Sequence, residues 1–170
     1  MPKMKTLRRA EEKPANAPTI ENRRARYEYE IMETYVAGMA LTGTEVKSLR
    51  TGAGASINEA YVRIREGEAF LVSMTIPVYK EGSFSNHEPG RPRKLLLKRA
   101  EIDRLASRLG EKGFTLVPLR LFFTEPGTEG HKPGVAKVLL GVARGKKQWD
   151  KRREEMARDV KRDIARAIRS

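Results

Sequence analysis

Apolar residues recur at every second position in run after run of this chain. Val117, Leu119, Leu121 and Phe123 share one phase, and so do Val138, Leu140 and Val142. A period of two puts every member of a run on one face of a strand. A chain with several such runs must build a sheet with one covered face, and short links between runs make it antiparallel. Residues 61–65 and 69–72 alternate in the same way around Glu66-Gly67 and predict a hairpin. Residues 26–31, Arg-Tyr-Glu-Tyr-Glu-Ile, read as a strand that continues through 34–41, where Gly38 marks a bulge or a bend. Residues 94–97 add a short apolar strand, for six or seven in all.

Two segments break this period. Residues 42–50 carry Val46 and Leu49 three apart, with Thr42 and Glu45 at capping-box spacing and Thr44 as a rival N-cap. Thr51-Gly52 closes that helix. Ile102, Leu105, Ala106 and Leu109 sit at helical spacing, and Gly110 is the expected stop. The fold expected is mainly β: an OB-like antiparallel barrel with two or three short flanking helices.

The pattern changes again at Gly145. Trp149, Met156, Val160, Ile164 and Ile168 make a narrow apolar stripe, and almost everything between them is charged. A lone helix of this length is marginal in water. The expectation is a basic amphipathic tail, 145–170, disordered when free and helical when bound. A helix docked on the body and a membrane-surface helix are the other readings, and Glu154, Glu155, Asp159 and Asp163 argue against a membrane. Residues 1–19 hold three prolines and little apolar content and are expected to be a disordered leader. The body is then 20–144.

Charge narrows the function. The 170 residues carry 35 Lys and Arg against 22 Asp and Glu, a formal +13. Such an excess is the footprint of a polyanion-binding protein. Residues 31–144 have seventeen basic and twelve acidic groups, and 145–170 have ten and five, so body and tail are each basic. Two contact surfaces are expected. Arg91, Arg93, Lys94, Lys98 and Arg99 form either a phosphate-contacting edge or a solvated loop. Residues 22–27 interleave arginines with Tyr27, a pattern that pairs phosphates and stacks bases, while Tyr27 and Tyr29 are equally readable as core.

Catalysis finds no support. Cysteine is absent, and His87 and His131 lie far apart in polar loops. That leaves no thiol nucleophile, no zinc ligand set and no Ser-His-Asp arrangement. Gly145-Lys146-Lys147 lacks the spacing and the Ser or Thr of a P-loop, and Gly52-Ala-Gly54 is no dinucleotide fingerprint. No enzyme, metal or cofactor is expected. The longest apolar stretch, 35–41, is far short of a membrane span, and no secretory signal is legible, so a cytoplasmic protein is the default.

Four motifs in order carry a resemblance: Asn22-Arg-Arg-Ala-Arg26, Gly43-Thr-Glu-Val-Lys-Ser-Leu-Arg50, Arg93-Lys-Leu-Leu-Leu97 and Gly145-Lys-Lys-Gln-Trp-Asp-Lys-Arg152. From about Asn22 to its end the chain resembles the small protein B family, the SsrA-binding proteins of bacterial ribosome rescue. The resemblance implies an OB-like barrel that binds the tRNA-like domain of transfer-messenger RNA through Asn22, Arg24, Arg26, Tyr29, Arg93, Lys94 and Leu96. It implies a tail that lies by the small-subunit decoding centre and runs into the empty mRNA channel of a stalled ribosome. Gly145, Lys146, Lys147, Trp149, Asp150, Lys151 and Arg152 would act there. Trp149 stands where members often have His, Tyr or another ring, and Val36 where some have an acid. The expected partners are transfer-messenger RNA, the ribosome and elongation factor Tu in one complex, with the protein a monomer.

Overall fold

The computed structural model describes residues 18–52, 54–125 and 134–169. Most of the expected leader, and His131, therefore lie outside the described residues. In chain order the elements are β1 (Ile20–Glu21), α1 (Arg23–Glu28), β2 (Tyr29–Met39), α2 (Gly43–Arg50), β3 (Tyr61–Arg65), β4 (Glu68–Val72), a 3-10 turn (Ser83–Ser85), β5 (Arg93–Leu96), α3 (Arg99–Gly110), β6 (Phe114–Phe123), β7 (Ala136–Gly145) and α4 (Gln148–Arg169).

The strands form one antiparallel sheet in the order β1-β6-β7-β2-β5-β4-β3. Its long central pairs are β2 with β7 and β6 with β7. Val117, Leu119, Leu121 and Phe123 do not share one face as their spacing suggested: a bulge between Pro118 and Arg120 leaves Val117 and Leu119 on the outer face and turns Leu121 and Phe123 inward. The predicted hairpin is present: Glu66 and Gly67 both take positive φ, 52° and 73°, which matches the twist of β3 and β4. The inner face gathers Ala37, Leu71, Leu95, Leu116, Leu121, Val138 and Leu140, closed over by Leu49 of α2 and Leu105 of α3. A second, smaller core lies on the outer face, where Ala25 of α1 packs on Val117, Leu119 and Ala143.

The closed barrel expected from the sequence is not formed. The sheet curls until β3 lies against β6, yet no ladder joins them among the described residues. The reason lies at a bulge in β6 between Pro118 and Arg120. Pro118 has no N–H to offer. Its carbonyl accepts from Asn22 Nδ2 (2.9 Å), and the Leu119 carbonyl accepts from the Asn22 backbone N–H (2.9 Å). Asn22 and α1 occupy the seam that a strand pairing would need.

Three further expectations change. Residues 23–28 are a helix, not the start of a strand, because Asn22 caps them: its Oδ1 accepts from Ala25 N (3.1 Å). Gly110 lies in the last turn of α3, and Gly113 takes the left-handed conformation instead. The tail expected to be disordered is helical from Gln148 to Arg169. Its nucleus is supplied by the body, which removes the initiation cost that makes a lone helix marginal. Lys146 Nζ donates to Arg26 O (2.9 Å) and to Glu154, and Tyr27 Oη donates to Glu155 Oε1 (2.5 Å). The cations of Lys151 and Arg158 stand 5.7 and 5.8 Å from the Tyr27 ring centroid. Farther along, Asp159–Arg162 and Asp163–Arg166 pair one turn apart.

Candidate nucleic-acid interface

Tight packing of Ala25 against the sheet leaves Arg23, Arg24 and Arg26 of α1 exposed. Arg24 bridges two carboxylates, Glu59 and Glu28 (2.9 Å to the latter), and the hydrogen bond and charge of Glu28 raise its pKa further. Arg23 and Arg26 have no acidic partner among the described residues. Tyr29 follows at the start of β2, half-buried over the outer core, while Tyr27 stays on the helix facing α4. The two tyrosines therefore do not share a strand face.

The same outer face continues across the sheet. Val36 pairs with Leu139, which packs on the core beneath α1, and Gly38, two residues on, pairs with Leu96. Val36 and Leu96 are 47% and 55% exposed, unusual for aliphatic strand residues. A Cβ at Gly38 would stand 3.2 Å from Leu96 Cβ and 3.6 Å from Lys137 Nζ, so the glycine lets Leu96 lie flat beside that cation. Lys94 shares this face and pairs with Glu68 (2.6 Å). Tyr29, Lys94 and Leu96 thus lie on the outer face of the sheet, and Arg24 and Arg26 are exposed on α1, which packs on that face.

Two of the residues that the resemblance assigned to RNA have other duties. Asn22 is buried; besides its cap bond, Nδ2 donates to Ile57 O (3.2 Å) and Pro118 O (2.9 Å). It fixes α1 to β6 and to the segment entering β3. Replacing Asn22 with alanine is expected to cost about 2 kcal/mol, a lost cap plus two unsatisfied carbonyls. Urea unfolding followed by circular dichroism measures it, and a loss below about 0.5 kcal/mol would contradict the stapling role.

Arg93 is fully buried and points inward, in phase with Leu95. Its Nε donates to Glu45 Oε1 (3.0 Å), Nη1 to Met74 O (2.6 Å) and Nη2 to Pro89 O (2.8 Å). Glu45 is also fully buried, accepts from Arg91 at both oxygens (2.8 and 2.7 Å) and takes the Thr42 N–H (2.9 Å). Burial alone would raise the Glu45 pKa, but the bonds from Arg91, Thr42 and Arg93 more than offset it and hold the carboxyl below its ordinary value. Burial pulls the Arg93 pKa down against the opposing effect of Glu45. The cluster read as a phosphate edge is thus divided: Arg91 and Arg93 belong to a buried ion network, and Arg99 pairs with Asp103 (3.3 Å). His87 is likewise built in, bonded to Thr44 Oγ1 and Ile76 O (both 2.9 Å).

The tail presents a second basic surface. Gly145 still pairs with Tyr29 at the end of β7. Lys146 is held against α1, while Lys147 and Arg152 are exposed. Lys151 reaches the Tyr27 ring. The side chains of Trp149 and Asp150 lie outside the described residues, although their backbone begins α4. Met156, Val160, Ile164 and Ile168 form an uncovered apolar stripe. Among the described residues no His, Cys, Asp and Glu cluster fits a metal, and no helix is long and apolar enough to cross a membrane.

The carboxylates beside α1, Glu28 and Glu59, were not legible as part of this surface from the sequence. Only Arg24–Glu28, one helical turn apart, left a signal, and it was hidden by the strand reading of that segment.

Comparison with known proteins places the chain among relatives. The profile of the SmpB protein family matches residues 19–170. The SsrA-binding protein of Salinispora tropica is 53% identical over 146 residues, covering 86% of each chain. That of Moorella thermoacetica is 52% identical over 149 residues, 88% of this chain and 91% of the relative. That of Thermus thermophilus is 50% identical over 148 residues, 87% and 97%. Among solved structures, a chain of "tmRNA-SmpB: a journey to the center of the bacterial ribosome" superimposes with a TM-score of 0.62 at 51% identity, covering 78% of this chain and 87% of that one.

Proposed function

This chain belongs to the SmpB protein family, and from that premise we propose that it is the SsrA-binding adaptor of trans-translation. It binds transfer-messenger RNA through its body and acts with it on stalled ribosomes. It catalyses no reaction of its own; it positions one RNA against another. The observation that carries this reading is the separation of two basic surfaces. The outer face, with α1 and the bare Val36–Leu96 patch, suits a folded RNA with exposed bases. The helix α4, basic and tied to α1 through Tyr27 and Lys146 near its start, suits a channel walled by RNA.

The body, 20–144, and the tail, 145–170, then work as two units. On the body Arg24, Arg26, Tyr29, Lys94 and Leu96 meet the tRNA-like domain, while Asn22 and Arg93 act by positioning α1 and β5. On the tail Gly145, Lys146, Lys147, Trp149, Asp150, Lys151 and Arg152 lie by the decoding centre, with the rest of α4 in the empty mRNA channel. Elongation factor Tu shares the complex, the protein is a monomer, and the setting is the cytoplasm.

Competition filter binding tests the choice of RNA. Transfer-messenger RNA is expected to stay bound against equal concentrations of bulk tRNA and unrelated structured RNA. Displacement by either would leave only a generic RNA- or ribosome-binding factor. In the same assay log K should fall with log salt by about 0.7–0.9 per phosphate neutralised. A flat titration would contradict a backbone-led interface.

A further inference from the structure

Beneath the arginines of α1 lies a cleft of about 210 Å³ between α1, the entry to β3, and β6. Its floor is apolar, made by Ala25, Ala60 and Val117, all buried. Tyr29 and Tyr61 stand in its walls, and Glu28 and Glu59 line it as well. Arg24 ties the two carboxylates together through one lone pair on Oε1 of each, leaving Oε2 and a second lone pair on Oε1 able to accept side by side. Glu59 is largely exposed, its side chain at 72%.

An acid-lined cleft beside the arginines of α1 is the wrong place for phosphate. Like charge repels it there, while Arg23 and Arg26 on the adjoining helix surface attract it. What suits the cleft is a flat ring with N–H donors on its edge. Single-stranded bases splayed from an RNA stack on aromatic side chains and bond through their Watson–Crick edges. Guanine alone among the four presents two neighbouring N–H donors there, N1–H and N2–H, the pair a carboxylate accepts side by side.

We propose that this cleft receives one unstacked guanine of the bound RNA, its ring beside Tyr29 and Tyr61 and its donor edge on Glu59. The phosphates on either side run along Arg23 and Arg26. This rests on the RNA-binding reading above and gives that surface a base-specific contact.

Amide NMR of the full chain, titrated with GMP, IMP, AMP and UMP, tests it. GMP is expected to shift Ala60 and Thr115, and IMP, which lacks the N2 amino group, to bind at least about tenfold more weakly. The Glu59→Gln variant should bind GMP and IMP alike. Equal response to GMP and IMP in the wild type, or shifts confined to residues 23–26, would overturn the proposal. Transfer-messenger RNA is measured on the same preparation. If it binds tightly while GMP shows no preference, the cleft proposal alone fails. If it does not bind at all, the adaptor reading fails, and the GMP to IMP ratio still decides the cleft.

Discussion

Replacing Glu45 with alanine is expected to destabilise the protein by about 3–5 kcal/mol, because it leaves a buried guanidinium without its counter-charge. Arg93 and Glu45 are both 0% exposed, and Arg93 depends on Glu45 for its only anionic partner among the described residues. A typical domain has about 5–15 kcal/mol in total, so the variant should unfold at much lower denaturant. Arg91→Ala should cost far less, since Arg91 is partly exposed and Arg93 still neutralises Glu45. Guanidinium unfolding of the three proteins gives the order directly. A Glu45→Ala loss under about 1 kcal/mol would show that the network is solvated after all.

The same residue sets an acid limit. The Glu45 carboxyl has a lower pKa folded than unfolded. Its contribution is therefore complete above the unfolded value of about 4.3 and disappears as pH falls through the folded value. Wild-type stability should decline through that acid window, and the gap between wild type and Glu45→Ala should narrow with it.

A chain ending at Lys147 is expected to keep its RNA affinity within about threefold and to lose ribosome rescue altogether. That stop removes α4 but retains Lys146, whose backbone and side chain bond the Glu28 and Arg26 carbonyls at the end of α1. Among the described residues the body gives up the Tyr27–Glu155 bond, the Lys146–Glu154 ion pair and two cation–π contacts on Tyr27, none of which belongs to its core. Circular dichroism should lose the signal of the 22-residue helix while cooperative unfolding persists. Filter binding reads the affinity, and tagging on stalled ribosomes in vitro reads the rescue. A tenfold or greater loss of affinity, or undiminished tagging, would contradict the division of labour between body and tail.

The sheet was legible because a period of two admits few alternatives, and Val138, Leu140 and Val142 of β7 keep it on one face; β6 was legible as a strand, but its bulge switches the inward phase between Leu119 and Leu121. α1 was not, since residues 26–31 alternate as a strand does over less than two helical turns. The contrary signal was Asn22 three residues before a buried Ala25. The barrel closure failed at one place: Pro118 breaks the donor pattern of β6, and an asparagine side chain fills the seam. Arg93 was grouped with its charged neighbours in sequence, although its phase with Leu95 puts it inside. The stripe of α4 was plain, but its docking point, Tyr27, had been assigned to a strand. For Arg93 and the tail the local pattern was right and the partner was missing, whereas for α1 the period itself was misread.

The most direct measurement is to recover the full-length protein from growing cells of its source and sequence the RNA bound to it. Transfer-messenger RNA is expected to dominate the bound pool, with ribosomal RNA beside it only when α4 is present. A pool that merely mirrors total cellular RNA, with transfer-messenger RNA not enriched, would contradict the adaptor reading.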